Sequence, residues 1–291
     1  MRNSFFQNTA ALVYDFDGTL SPQPMQEYTV LPKIGIEPAE FWALVNDEAR
    51  KTESDPMLVY MRHIIEALER VKVDVKREDF AAMARSIEYF PGVTTWFARM
   101  NAYVKKRSRG QVRLLHYLIS AGQKEILEGV SIRRHFRRVY ASEYHFNHHV
   151  VATFPKFLVT DTQKTQFLFR INKGIEAVTE SINEHMPEED RPIPFPNIIY
   201  LGDGMTDVPS MALTKKSGGH AVAVYPHGAS EKRATCVKLL EAGRVDFVSQ
   251  ADYRAGSKLT KRVQLLLDAI IADVAYRREA FACRMENRGK R

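Results

Sequence analysis

The chain has 291 residues, which is room for about two domains of ordinary size. Hydrophobic residues make up 45% and charged residues 26%, a balance that is typical of a soluble globular protein and excludes a disordered or fibrous chain. Two cysteines, Cys236 and Cys283, are too few for a disulfide framework, and no apolar run approaches the roughly 18 residues of a membrane helix. We therefore expect a cytoplasmic protein, and its net charge of +7 suits an anionic small molecule or nucleic acid.

Short apolar runs alternate with amphipathic segments along most of the chain. The apolar runs predict buried parallel strands over 10–14, 112–119, 197–201, 220–225 and 245–248. The amphipathic segments predict helices over 93–106, 123–130, 174–185, 205–216, 231–241 and 258–285. This repeated order of strand and helix predicts an α/β fold with a doubly wound parallel sheet.

Residues 37–88 interrupt this alternation, because they contain two or three helix-like segments and no convincing strand. A proline-rich link over 21–32 and the Phe90–Gly92 turn bound the interruption, since proline and glycine break both kinds of element. The pattern predicts a helical domain over 21–89 that is inserted into an α/β core of residues 1–20 and 90–291.

The first predicted strand ends in two carboxylates, Asp15 and Asp17, which are followed by Gly18 and Thr19. On an extended strand, residues two apart point to the same side, and Gly18 lets the chain turn sharply away. One carboxylate could then attack a ligand while the other handles protons. An Asp-Gly turn that merely closes a strand is the ordinary alternative.

A second acidic pair, Asp203 and Asp207, follows the predicted strand 197–201. Carboxylates that converge at one sheet edge repel each other unless a cation neutralises them, and oxygen ligands alone favour magnesium. The predicted strand 112–119 runs into Ser120, Ala121 and Gly122, whose hydroxyl and N–H groups could hold a phosphate.

These motifs resemble those of the haloacid dehalogenase-like superfamily, in its phosphoserine-phosphatase-like branch with a helical cap. DFDGT from Asp15, ISAG ending at Gly122 and GDGMTD ending at Asp207 are similar to the first, second and fourth motifs of the family, and 21–89 lies where this branch has its cap. The resemblance implies a Rossmann-like core and a Mg²⁺-dependent phosphatase that acts on a small phosphomonoester through an aspartyl-phosphate.

The resemblance also implies the roles of individual residues. Asp15 would be the nucleophile and Asp17 the general acid and base, while Mg²⁺ would be held by Asp15, the main-chain carbonyl of Asp17, and Asp203. Asp17 argues against dehalogenation, since a halide leaves without a proton. Phosphate binding falls to Ser120, Ala121 and Gly122, and supporting roles fall to Asp207, Gly18 and Thr19.

The third motif of the family is a lysine at a helix start, and Lys173 and Lys164 compete for it. Lys173 is preferred here, because Gly174 and the predicted helix 174–185 follow it and resemble the Lys-Gly start of this branch.

Other interpretations remain open at this stage. A phosphotransferase or mutase would carry the same motifs, and the basic runs 105–113 and 133–138 could form a nucleic-acid surface, although they lack the interleaved aromatic residues of a stacking platform. The histidines of 145–149 suggest a metal site only weakly. Glu27 and Arg62 are loose candidates for substrate contacts in the insert.

Overall fold

The computed structural model of the chain describes residues 4–71 and 76–288. A seven-stranded sheet with the order β4-β3-β2-β1-β5-β6-β7 forms the centre. The strands are β1 Thr9–Tyr14, β2 Arg113–Gln123, β3 Arg138–Phe146, β4 Ala152–Phe157, β5 Ile198–Gly202, β6 His220–Tyr225 and β7 Phe247–Gln250. All neighbours are parallel except β3 and β4, which pair antiparallel.

Helices cover both faces of this sheet, which confirms the predicted doubly wound α/β fold. Five of these helices lie between β1 and residue 90: α1 Met25–Tyr28, α2 Val30–Ile34, α3 Pro38–Thr52, α4 Pro56–Arg70 and α5 Arg77–Met83. The others are α6 Val93–Arg107, α7 Lys124–Leu127, α8 Lys164–Lys173, α9 Val208–Lys216, α10 Ser230–Glu241 and α11 Lys258–Arg288. In the described part of 21–89 there are helices and no strand of the sheet.

The alternation of side chains along β1 divides the core into two layers. Leu12 and Tyr14 belong to the layer that also holds Trp96 of α6, whereas Ala11 and Val13 belong to the layer that holds Phe167 of α8. Both faces of a parallel strand are thus covered by helices, which explains why β1 is apolar at consecutive positions. The buried residues of α3, α4 and α5 join the first of these layers.

The sequence analysis missed β3, β4 and α8, and it described α1 and α2 as part of a proline-rich link. Successive residues of β4 alternate between partly buried and exposed from Phe154 to Phe157, because β4 is the edge strand and has one neighbour. A strand of this kind has no continuous apolar run, so the apolar pattern does not reveal it.

The predicted helix over 174–185 is wrong, because this segment is irregular. Gly174, with φ 70°, ends α8, and the backbone then turns around the side chain of Arg170. The Arg170 guanidinium is buried and donates hydrogen bonds to the carbonyl oxygens of Ala177, Val178 and Glu180. These bonds satisfy backbone groups that a helix would have satisfied internally.

Arginines of the two basic runs form ion pairs within the chain. Arg107 lies 2.9 Å from Asp268, and Arg133 lies 2.7 Å from Glu128. Such pairs are typical of a solvated basic face. Within the described residues, no helix is long and apolar enough to cross a membrane.

Candidate active site

A cavity of about 370 Å³ opens at the carboxyl ends of β1, β2 and β5. Parallel strands bring their carboxyl ends to one edge of the sheet, and β1 lies between the other two strands. The lining residues that belong to the α/β core are Asp15, Asp17, Ser120, Ala121, Gly122, Asp161, Lys164, Asp203 and Thr206. Those that belong to the helical region 21–89 are Pro24, Gln26, Glu27, Trp42, Met57 and Tyr60.

A buried lysine joins two of the acidic residues at the floor of this site. The ammonium Nζ of Lys164 lies 3.1 Å from Oδ1 of Asp15 and 2.8 Å from Oδ1 of Asp207. Lys164 is only 1% exposed, and burial alone would lower its pKa, but the two carboxylates outweigh burial and raise the pKa. The lysine therefore carries its charge inside the protein, beside Asp15.

Both carboxylate oxygens of Asp207 accept hydrogen bonds in this arrangement. Besides Lys164, its Oδ1 accepts a hydrogen bond from the hydroxyl of Tyr200 at 2.7 Å, and its Oδ2 accepts one from the backbone N–H of Asp203 at 3.1 Å. Asp207 thus fixes the lysine and the loop that carries Asp203, which fits the supporting position expected for it.

Asp17 lies at the entrance to the helical region. Its Oδ1 accepts a hydrogen bond from the backbone N–H of Met25, the first residue of α1, at 2.9 Å. Burial raises the pKa of Asp17 to about 7, with a further rise from Asp203 and opposing effects of the Met25 N–H and Lys164. At this pKa, the carboxyl group exchanges a proton readily near neutral pH.

Gly18 has a conformation that the site needs. Its φ is 74°, and a Cβ at this position would lie 2.0 Å from Oδ2 of Asp203. The loops after β1 and β5 can approach each other only because this residue has no side chain. Thr19 follows it, is fully buried, and its carbonyl oxygen accepts a hydrogen bond from the Tyr253 hydroxyl at 2.7 Å.

Ser120, Ala121 and Gly122 form an irregular segment at the end of β2, where the register with β3 shifts. The Ser120 hydroxyl oxygen accepts a hydrogen bond from the Gly122 N–H at 3.0 Å. The carbonyl oxygen of Ala121 accepts bonds from Tyr60 at 3.2 Å and from Ser142 at 3.0 Å. The core and the helical region therefore hold this loop together.

The structure does not bring Lys173 to the site, and the expectation that it lies beside Asp15 is wrong. Lys173 is the last residue of α8, and its Nζ donates to the carbonyl oxygens of Ile182 and Glu184, both at 2.7 Å. A lysine followed by glycine is typical of a helix end, because glycine adopts the left-handed conformation that terminates helices and a cation is stabilised there. Lys164, the first residue of α8, occupies the position beside Asp15.

The donor set fits a hard divalent cation. Asp15, Asp203 and Asp207 each offer one carboxylate oxygen, these three atoms lie within 4.8 Å of one another, and no other such group of His, Cys, Asp or Glu occurs in 4–71 and 76–288. Burial, followed by the charge of Asp207, raises the pKa of Asp15, and burial and Asp207 likewise raise that of Asp203. A cation would relieve this repulsion. Because Asp207 already accepts hydrogen bonds at both of its oxygens, Asp15 and Asp203 are the preferred side-chain ligands.

Residues of the insert reach the site, but Arg62 does not. Glu27 lines the cavity, and its Oε1 accepts a hydrogen bond from Nε1 of Trp42 at 2.9 Å. Arg62 is paired with Glu48 and Glu66 on the outside of the helical region. Sequence reasoning did not find Trp42 or Tyr60, because only the packing of α3 and α4 directs them to this cavity.

The site thus combines a buried lysine between two aspartates with the carboxyl ends of a doubly wound sheet. A comparison with protein families identifies the class of protein that has this arrangement. The family model of the haloacid dehalogenase-like hydrolases matches residues 12–212, which is more than half of the chain. The chain therefore belongs to the haloacid dehalogenase-like hydrolases.

Individual relatives resemble the chain over most of its length. An uncharacterized protein of Borreliella burgdorferi is 27% identical, over 87% of this chain and 94% of that protein. A structure described as a phospho-aspartyl intermediate analogue of phosphoserine phosphatase has a TM-score of 0.54 at 15% identity, over 89% of this chain and 99% of that one. The fold is therefore that of the phosphoserine phosphatases.

A further solved structure, a HAD family hydrolase of Salmonella enterica serovar Typhi, has a TM-score of 0.52 at 16% identity. The match covers 75% of this chain and 62% of that one, so the chain spans less than two thirds of that protein's length.

Proposed function

We propose that the protein is a Mg²⁺-dependent phosphatase that hydrolyses a small phosphomonoester through an aspartyl-phosphate on Asp15. The observation that carries this proposal is the contact between Lys164 and Asp15 at the floor of the cavity. A buried ammonium beside a carboxylate can neutralise a phosphoryl group that the carboxylate attacks. The phosphoserine phosphatases of similar fold, one of them described with a phospho-aspartyl intermediate analogue, support the same chemistry.

The reaction would use two carboxylates in turn. An oxygen of Asp15 attacks phosphorus and forms the aspartyl-phosphate, while Asp17 gives its proton to the oxygen of the leaving alcohol. A water molecule then attacks the phosphorus, and Asp17 takes its proton, so that inorganic phosphate leaves and Asp15 is restored. The pKa of Asp17, raised to about 7 chiefly by burial, suits this exchange.

Other residues would hold the phosphoryl group. The hydroxyl of Ser120 and the backbone N–H of Ala121 would donate to its oxygens, and Lys164 would offset its charge. Asp15, Asp203 and the main-chain carbonyl of Asp17 would hold Mg²⁺. Bound there, Mg²⁺ would supply positive charge to the transferring phosphoryl group.

The helical region 21–89 would act as a cap that shapes the substrate cavity. It contributes six of the fifteen residues that line the cavity, including Trp42 and Tyr60, and it holds Asp17 through the N–H of Met25. A cap of this kind excludes water from the reaction and selects the leaving group.

Turnover of p-nitrophenyl phosphate with and without Mg²⁺ tests this proposal. We expect phosphate release that needs Mg²⁺, stops with excess chelator and is lost in Asp15→Asn. Asp47→Asn is the matched control, because Asp47 is exposed and pairs with Lys51 on the surface of α3. Unchanged turnover in Asp15→Asn would overturn the proposal. Phosphate transfer to an added alcohol, with little free phosphate, would instead indicate a phosphotransferase.

A further inference from the structure

A second cavity, of about 450 Å³, lies at the carboxyl ends of β6 and β7. Residues of α10 and of the first turn of α11 complete its wall, and these two helices cover opposite faces of the sheet. Within the described part of the chain, no residue lines both this cavity and the catalytic one. It is therefore a separate site at the same edge of the sheet.

Three cations line this cavity, and none of them is paired with a carboxylate of a described residue. Arg233 of α10 and Lys258 of α11 form no ion pair there. The guanidinium of Arg262 donates a hydrogen bond to the carbonyl oxygen of Val248 and lies 5.7 Å from the centre of the Phe247 ring. These contacts position the guanidinium without balancing its charge. Three unbalanced cations around one cavity attract an anion.

Asp252 is the acidic residue among the described residues that line this cavity, and its charge is already balanced. Its Oδ1 accepts hydrogen bonds from the backbone N–H of Arg254 at 3.0 Å and from Nε of the same arginine at 2.9 Å. Its Oδ2 accepts a further bond from the guanidinium at 2.8 Å. The cavity therefore keeps a positive charge.

The N-terminus of α11 adds backbone donors to this charge. The Ser257 hydroxyl oxygen accepts the N–H of Thr260 at 3.1 Å, and the Ser257 carbonyl oxygen accepts the N–H of Lys261 at 3.0 Å. The N–H groups of Lys258 and Leu259, which both line the cavity, make no such bond with a described residue. Free N–H groups at the start of a helix bind anions, because the helix dipole is positive there.

A buried hydroxyl without a partner is the second observation that indicates a ligand. Ser249 of β7 is 3% exposed and lines the cavity, and its Oγ has no hydrogen-bond partner among the described residues. Phe247, two residues earlier on the strand, packs in the core layer that holds Leu259, so Ser249 points to the same side, where α11 begins. An unpaired buried hydroxyl is costly, and an anionic oxygen in the cavity would accept its proton.

We propose that this cavity binds a small diphosphate, with its phosphoryl oxygens at the N-terminus of α11 and beside Ser249. A single phosphate ester carries about 1.5 to 2 negative charges at neutral pH, so the charges of Arg233, Lys258 and Arg262 match two phosphoryl groups. The binding uses no residue of the catalytic cavity, so it holds whether or not the protein is a phosphatase.

Isothermal titration calorimetry on the metal-free protein tests this site. Methylenediphosphonate is the probe, because its P–C–P link resists hydrolysis, and methylphosphonate is the matched compound with one phosphonate group. We expect methylenediphosphonate to bind more tightly than methylphosphonate by a factor of about ten or more, since only the diphosphonate balances all three cations. Equal affinity for the two compounds, or no binding of methylenediphosphonate, would overturn the proposal.

Variants of the cavity wall test which residues bind the probe. We expect the affinity for methylenediphosphonate to fall about fivefold or more in Lys258→Gln and about threefold or more in Ser249→Ala. Ser249→Ala removes a hydroxyl that has no partner among the described residues, so the fold loses no hydrogen bond. Lys261→Gln is the matched control, because Lys261 is exposed on the same helix and does not line the cavity. Its affinity should change less than about twofold.

Two results with these variants would contradict the proposal. Equal losses in Lys261→Gln and Lys258→Gln would indicate unspecific attraction to a basic surface. Unchanged affinity in both Lys258→Gln and Ser249→Ala would show that the probe does not bind at the start of α11.

A variant of the catalytic cavity distinguishes the two sites. Ser120→Ala removes a hydroxyl that lines the catalytic cavity and is remote from β7 in the strand order, so the affinity for methylenediphosphonate should stay the same. A loss of affinity in Ser120→Ala with none in Lys258→Gln would place the probe in the catalytic cavity and overturn the proposal. That result would leave the proposed phosphatase function intact.

Discussion

The ammonium of Lys164 lies 3.1 Å from the carboxylate of Asp15, although the two residues are 149 positions apart in the sequence. No local sequence pattern reveals this contact. Lys164 is the first residue of α8, and this helix packs on the sheet face opposite to the one that α6 covers. The site therefore combines a strand end and a helix start that only the completed fold brings together.

The two candidate lysines should behave differently when each is replaced by alanine. We expect Lys164→Ala to lose a hundredfold or more of the phosphatase activity, because a preorganised cation at a charged transition state contributes about 3 to 4 kcal/mol. Lys173→Ala removes hydrogen bonds to two loop carbonyls and should keep most of the activity. Steady-state kinetics on variants with native circular dichroism checks this. Loss of activity in Lys173→Ala alone would contradict the position assigned to Lys164.

Two glycines with similar backbone angles allow a matched test of the contact between the loops after β1 and β5. Gly18→Ala would place its Cβ 2.0 Å from Oδ2 of Asp203, so Asp203 must move. Gly110→Ala has the same kind of strain, with φ 77°, but meets nothing within 4 Å. Each variant should lose about 1 to 2 kcal/mol of stability from the left-handed conformation.

Activity should separate these two variants. We expect Gly18→Ala to lose activity at least hundredfold and to bind Mg²⁺ more weakly in isothermal titration calorimetry, whereas Gly110→Ala keeps both properties. Normal Mg²⁺ binding in Gly18→Ala would show that the close approach of Gly18 to Asp203 does not matter for the metal.

We expect Asp246 to account for part of the loss of folding stability at low pH. Burial would raise its pKa, but His220, Lys215 at 2.6 Å and the Ala221 N–H at 2.9 Å lower the pKa from 3.8 to about 2. A carboxyl group with a lowered pKa stabilises the native state above its unfolded pKa and loses this effect as the pH falls through the folded value. The contribution at neutral pH is about 2 kcal/mol and should disappear between about pH 4 and pH 2.

The Asp246→Asn variant checks this contribution. Urea unfolding at pH 7 should show the loss of about 2 kcal/mol, and the difference from the wild type should shrink towards pH 2. Asp47→Asn, on the exposed face of α3, should follow the wild type at every pH, since exposed ion pairs contribute little. A constant difference between Asp246→Asn and the wild type over this pH range would refute the assignment.

The sequence predicted those parts of the site that follow strand ends. Asp15, Ser120 and Asp203 each come directly after or at the end of an apolar run, and parallel strands must bring these ends to one sheet edge. Once β1, β2 and β5 are taken as neighbouring strands, the sequence predicts that these three residues meet in one cavity.

Other parts depend on packing that has no sequence signature. The segment 174–185 has helical apolar spacing, yet Arg170 binds its carbonyl groups and keeps it irregular. Lys164 follows no apolar run, and its burial results from the way α8 docks beside Asp207. Trp42 of α3 and Glu27 of α1 meet in a hydrogen bond that the helical pattern alone could not predict.

The most direct test of the proposed mechanism is to locate the phosphoryl group during turnover. Asp17→Asn should slow the second step more than the first when p-nitrophenol is the leaving group, because this alcohol needs no proton, so the aspartyl-phosphate accumulates. Rapid quenching, borohydride reduction of the acyl phosphate and peptide mass spectrometry should find homoserine at position 15. An unmodified Asp15 during active turnover, or the modification on any other residue, would contradict the proposed mechanism.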